Sequence, residues 1–359
     1  MATSARWGLA IICIALGSWA APAHAYKIHP SLAIHEAMTA LAENCLESYA
    51  GAEPYDCSGY YPEHLEYFAN LDFSNPVYNL SVASRWSDDP QRMNRGLGYL
   101  RFGLVFIGCR SRVENHPGVD DSGLLCNSHF GRLQFLHAMA SARGETTEQT
   151  AALMLQWTGF TYGLASGEID HQRNYCRYFE GRGDALAAAM WHPDFRYCGD
   201  RTDGPAPDQW TLGTPFLLRC ASLVSPCQET VWDAGRREVR VTAMGALLHM
   251  VQDSFSQSHG ARGPEGSRGY EARIRCLPAE RFYNFNGEDG RGQDGHSAAD
   301  LLPQYDTESC NAAIRTVDDP ITASARLLWM LDQGHSSEQA VAYVRAHVLG
   351  LPPSSETGP

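Results

Sequence analysis

His249 and Asp253 stand four residues apart within the segment Ala246-Leu-Leu-His-Met-Val-Gln-Asp-Ser-Phe-Ser-Gln-Ser-His259. On a helix that spacing puts both side chains on one face. Imidazole and carboxylate are good zinc donors, although the pair alone is as readily a hydrogen-bonded i,i+4 contact. His259 follows six residues after Asp253, so a straight helix would point it elsewhere and the helix must bend or end first. Gly260 suits an end. A second His–Asp pair with the same spacing, His296 and Asp300, follows Gly295, with Asp294 placed to cap a helix. Three single residues complete the set. His35 falls among the apolar positions of an amphipathic run, where a lone histidine is ordinarily a core residue. Asp88 precedes Asp89-Pro90, ordinarily a turn. His129 follows Cys126-Asn-Ser, and His137 lies eight residues on.

The elements that must position these residues read as helical. Leu32, Ala37, Met38, Leu41 and Cys45 mark a helix entered through Pro30-Ser31, and residues 148–165, 238–256 and 321–347 carry the same period. In the third, Val241, Met244, Leu248, Val251 and Phe255 form the apolar stripe and His249 is offset from it. Strand-like alternation is scarce. Long stretches rich in Gly, Pro, Arg and Cys, chiefly 90–127, 173–235 and 260–295, separate the helices. Structureless loops of that length are uncommon in compact domains unless functional or stapled. Of the 11 cysteines, Cys13 lies in the leader, leaving an even set beyond it, and no Cys-x-x-Cys occurs. An even set in an exported chain predicts disulfides rather than a cysteine–zinc site, with connectivity open.

Residues 1–25 read as an export signal: Arg6, the apolar run Leu9–Leu16, and the small-x-small site Ala23-His24-Ala25. A domain is expected over 26–350 and a disordered tail over 351–359. No later segment is apolar enough to span a bilayer. The balance of 41 acidic against 28 basic residues, net −13, gives no electrostatic gain on nucleic acid. It leaves a metal-bound phosphate open as a substrate group. No phosphate-binding glycine loop and no Gly-x-Ser-x-Gly elbow is present.

Taken in order, His35, Asp88, His129, His249-x3-Asp253, His259 and His296-x3-Asp300 resemble the zinc-dependent phospholipase C and single-strand nuclease superfamily. The His-x3-Asp-x5-His spacing is that superfamily's central motif. The resemblance spans residues 26–300 but not the intervening loops. It implies a single mainly α helical bundle with long disulfide-rich loop insertions, holding three zinc ions. Asp88, His129, His249 and Asp253 would hold the first zinc. Asp253 would bridge to a second, bound also by His35 and the new N-terminus at Tyr26. His259, His296 and Asp300 would hold the third. Asp88 would orient the attacking water as general base, the clustered zincs lowering that water's pKa. Several points depart from the family. Its usual first residue is Trp, here Tyr26, with His29 as substitute if cleavage falls elsewhere. Asp89 could replace Asp88, and His137 could replace His129, which is preferred because Ser-His-Phe resembles the phospholipase pattern. Asp300 is nuclease-like, whereas Gly295-His296 is phospholipase-like.

The expected activity is hydrolysis of a phosphatidylcholine-like phospholipid at a membrane surface, to diacylglycerol and a phosphorylated head group. The protein would be a secreted or periplasmic monomer without a transmembrane anchor. Trp191, Phe195 and Tyr197 are candidates for lipid contact. The alternatives are a single-strand nuclease or nucleotidase with the same cluster, and a non-catalytic secreted binding protein on the same fold.

Overall fold

The computed structural model describes residues 32–73, 80–93, 102–106, 108–109, 123–190, 210–220, 229–231, 236–263, 273–285, 301–311 and 313–353. Tyr26, His29, His296, Asp300, the expected export signal over 1–25, residues 354–359 of the expected tail 351–359 and the three loop aromatics proposed for lipid contact lie outside them.

The architecture is mainly helical. In chain order the helices are α1 (Ile34–Ser48), α2 (Glu63–Ala69), α3 (Leu80–Ala83), α4 (Gly123–Phe130), α5 (Thr147–Ser166), α6 (Tyr175–Phe179), α7 (Ala185–Met190), α8 (Arg236–Asp253), α9 (Pro320–Asp332) and α10 (Ser337–Tyr343). The strands are short: β1 (Leu218–Cys220), β2 (Glu229–Val231), β3 (Gly260–Arg262), β4 (Arg273–Ile274), β5 (Ala279–Phe282) and β6 (Gln304–Tyr305). β1 and β2 pair antiparallel, as do β3 and β5, while β4 and β6 pair parallel. All but β6 lie within the stretches read as loops, so those stretches carry short paired strands and short helices.

The helices form because their ends are satisfied and their faces are buried. Thr146 and Gln149 make a reciprocal capping box at the start of α5, and Gly167, at φ +90°, closes its end. Both faces of α5 are buried over 160–165, as expected of a helix inside the core. α5 packs along α8, α1 packs on α9 and α2, and α3 crosses both α1 and α8. Trp157, on α5, lies near Trp86 and Phe216 within this core. A smaller buried cluster of Met93, Phe102, Phe106, Cys109, Leu125, Cys126 and Phe130 sits to one side.

Three boundaries differ from the periodic reading. The α1 N-cap is Ala33, which gives no side-chain cap bond. The run 321–347 divides, because Gly334 at φ +73° ends one helix and Ser336 caps the next through Gln339. α8 ends at Asp253, well before Gly260. Disulfides join Cys45 to Cys57, Cys109 to Cys126 and Cys276 to Cys310. The first ties the chain after α1 back to it, and the second fastens the 102–109 segment onto α4.

Candidate metal centre

Seven polar side chains from six segments meet inside the bundle. α1 supplies His35. The turn after α3 supplies Asp88. α4 supplies His129, and the 3-10 turn Gln134–His137 supplies His137. α8 supplies His249 and Asp253, and the turn beyond it supplies His259. His35, Asp88, His249 and Asp253 are wholly buried, whereas His129 is 8 % exposed and marks the wettest edge of the group.

Two local features bring α8 to its neighbours. A Cβ on Gly245 would lie 2.5 Å from the Ala83 carbonyl carbon, so only glycine lets α3 cross this closely. That crossing brings the Ser84 carbonyl to His249, whose Nδ1 donates to it at 2.7 Å. Where α8 stops at Asp253, backbone bonds from Phe255, Ser256 and His259 fold a compact turn. The turn returns His259 Nδ1 to 3.6 Å from Asp253 Oδ2. Arg262 anchors it, donating to the Ser254 carbonyl and hydroxyl and to the carbonyls of Leu277 and Val348.

The centre of the group is a triangle. His249 Nε2, His137 Nδ1 and Asp253 Oδ2 lie 3.0 Å apart along each edge. Asp253 Oδ1 lies 3.2 Å from His35 Nε2, and the His35 and His249 rings stack at 3.9 Å. Asp88 approaches from the other side, with Oδ2 3.9 Å from His249 Nε2 and Oδ1 3.9 Å from His137 Nδ1. His129 Nε2 lies 3.6 Å from Asp88 Oδ1. Asp89 is used otherwise, its Oδ1 accepting from the Met93 N–H at 2.7 Å. Of the two histidines left open by the sequence, His137 borders the triangle and His129 lies behind Asp88.

The electrostatics follow from burying one carboxylate among imidazoles. Burial works to raise the Asp253 carboxyl, but His259, His249, His35 and the His137 hydrogen bond outweigh it and hold it well below the usual range. Burial works to lower His35, but Asp253 above all holds it up at about 9. His137 falls to about 3, chiefly through burial and helped by the neighbouring His129 and His249, against the pull of Asp253. His259 is lowered, chiefly by burial. The Glu36 carboxylate, next to His35 and wholly buried, pairs with Arg85, which ties α1 to the segment carrying Ser84 and Asp88.

These residues fit a metal ion. Two three-residue groups, His35/His249/Asp253 and Asp88/His137/His249, each have ligand atoms within 4.8 Å of one another. Tetrahedral zinc with nitrogen and oxygen ligands at about 2.0–2.2 Å needs roughly 3.3 Å between ligand atoms, and the separations here run from 3.0 to 3.9 Å. The tautomers agree. A carbonyl only accepts, so Ser84 keeps a proton on His249 Nδ1 and leaves Nε2 of the neutral ring as a lone pair facing carboxylate oxygen. Two acceptors at 3.0 Å need a proton or a metal ion between them. His129 is held alike, its Nδ1 donating to the Leu125 carbonyl at 2.9 Å. His137 Nε2 is buried without a hydrogen-bond partner among the described residues. Gln252, Ser84 and Thr39, which orient these ligands, carry no motif that singles them out in sequence.

No family model, no curated protein and no solved structure matches this chain.

Proposed function

We propose that this protein is an exported, zinc-dependent phosphodiester hydrolase of phospholipase C type. The observation that carries the reading is the triangle of His249 Nε2, His137 Nδ1 and Asp253 Oδ2, flanked by His35, Asp88 and His259. It supports the reading because His35, Asp88, His249, Asp253 and His259, five of the residues whose order in sequence resembles that superfamily, lie in or around it.

Asp88, His137, His249 and Asp253 would hold one ion, with His129 beside Asp88 as a further donor. His35 and Asp253 would hold a second together with the N-terminus at Tyr26. His259 would hold a third with His296 and Asp300. Zinc bound there would supply a Lewis acid that lowers the pKa of water and neutralises phosphate charge. Asp253 turns Oδ1 to His35 and Oδ2 to His137 and His249, so its carboxylate would serve as a donor on both sides. Asp88 is wholly buried, and its carboxylate would accept the proton of the attacking water and orient that water toward phosphorus. The buried apolar cluster carrying Phe106, whose ring meets His129 edge-on at 4.9 Å, packs behind the wettest edge of the group and holds His129 in place. Disulfides persist in oxidising compartments, in keeping with export. Among the described residues no helix is long and apolar enough to cross a membrane.

The deciding experiment offers the protein starting at Tyr26 both phosphatidylcholine vesicles and single-stranded DNA, with and without chelator. Phosphocholine release that chelator abolishes and zinc restores is the expected result. Release of mononucleotides instead would keep the metal centre and move the function to nuclease. Zinc binding without turnover of either would overturn the phospholipase reading.

A further inference from the structure

We propose that Gln252 is the positioning residue for His35, selecting Nε2 of that ring as the metal-binding nitrogen. The proposal rests on the metal reading above.

Three histidines of the centre turn a ring nitrogen away from it, and each such nitrogen has an acceptor. For His249 it is the Ser84 carbonyl at 2.7 Å, and for His129 the Leu125 carbonyl at 2.9 Å. For His35 it is a side chain: Nδ1 lies 2.8 Å from Gln252 Oε1. A carbonyl of the main chain has one polarity, but an amide side chain can present either its oxygen or its NH2. Here the oxygen faces His35 while Gln252 Nε2 donates to the Thr39 hydroxyl at 3.0 Å, and the His35 Nε2 that faces Asp253 Oδ1 leaves Nδ1 to the amide. So placed, the oxygen fixes a proton on Nδ1. Nε2, 3.2 Å from Asp253 Oδ1, is then the nitrogen available to a metal. A reversed amide would place a donor against Nδ1, drive the proton to Nε2 and block the ligand.

The arrangement is closed and dry. His35 and Thr39 stand one helical turn apart on α1, while Gln252 immediately precedes Asp253 on α8, and all four are wholly buried. One side chain therefore joins the helix carrying the outer histidine to the helix carrying the bridging carboxylate. Outer partners of metal-bound histidines are worth about 10–100-fold in metal affinity. Because this one is a side chain, it can be removed without altering the backbone.

The test uses the full exported chain as wild type, Gln252→Met, Gln252→Glu and Thr39→Val. Zinc stoichiometry and affinity come from competition with a chromophoric chelator. Long-range proton–nitrogen NMR of the zinc-loaded protein identifies the protonated nitrogen of His35. Gln252→Met keeps the volume and removes the acceptor. It should weaken one zinc by about 10–100-fold, with the remaining zinc affinities unchanged. Gln252→Glu keeps an acceptor toward Nδ1, which the Thr39 hydroxyl can join as donor, and should restore binding to near the wild-type value. Thr39→Val should fall between them. The wild-type spectrum should show the proton on Nδ1. Equal affinities in Gln252→Met and wild type, or a proton on Nε2 in the wild type, would overturn the inference alone. If Gln252→Met does not fold, wild-type affinity and spectrum in Thr39→Val would also overturn it. A wild type that binds no zinc would overturn the metal reading together with it.

Discussion

His249 Nδ1 donates to the Ser84 carbonyl at 2.7 Å, a bond between helix α8 and the turn that carries Asp88. It sets the ring's tautomer, and it also holds two ligand-bearing segments in register. His249→Ala should therefore remove metal and activity together, while leaving an oxidised, helical protein. Metal analysis, turnover and circular dichroism on one preparation check this. Full activity in the variant would remove His249 from the centre.

The same register depends on the Gly245 crossing. A methyl group there would meet the Ala83 backbone at 2.5–2.7 Å, and neither helix backbone has a flexible end to move. Gly245→Ala should cost about 1–3 kcal/mol, as overpacking does, and lower zinc occupancy because Ser84 moves away from His249. Calorimetry and metal content should change together. A neutral substitution would mean that α3 shifts freely.

On the metal reading proposed above, chelation would leave the Asp253 carboxylate surrounded by imidazoles in place of cations. A ligand that binds only the folded state stabilises it by about 2.7 kcal/mol at a hundredfold excess over its dissociation constant. The melting temperature should thus fall with chelator and return with zinc, with the disulfides intact throughout. A melting temperature indifferent to zinc over a wide concentration range would contradict a metal centre.

The metal-free protein should be most stable near pH 6.5. His35 has a folded pKa of about 9, above its ordinary 6.5. Its contribution is complete below 6.5 and is lost as pH rises toward 9, because the folded state then keeps a proton that the unfolded chain has released. His137 has a folded pKa of about 3. Its contribution is complete above 6.5 and is lost as pH falls toward 3. Denaturant unfolding in chelator across pH 4 to 9 tests this, and His35→Gln should flatten the alkaline limb.

Arg262 fastens the turn that returns His259, through four bonds to Ser254, Leu277 and Val348, and its guanidinium lies over the Phe255 ring at 3.8 Å. Arg262→Met would leave buried carbonyls without donors, a loss of about 1–3 kcal/mol for each group left unsatisfied. Thermal melts and zinc stoichiometry read it. Destabilisation without a change in the zincs bound would confine Arg262 to folding.

The helices around which the site is built were legible in the sequence, because an apolar period over a dozen or more residues reports burial of one face whatever the partner. The pair His249 and Asp253 was legible for the same reason, since helical spacing fixes their shared face. The even set of cysteines pointed to disulfides, but their pairing depends on which chain segments lie side by side. The division of 321–347 at Gly334 and the Ser336 cap is a local backbone event, which the continuing apolar period does not express. That His35 lies beside Asp253 and His249 comes from α1 and α8 meeting, which sequence spacing cannot express. The placement of Asp88 against Asp89, and of His137 beside His129, turned on a single backbone bond from Met93 and on the position of one 3-10 turn. Local sequence determined which side chains share a helix face. Only the tertiary structure decided which faces meet and which ring nitrogens point inward, because burial makes each donor and acceptor find a partner across segments distant in the chain.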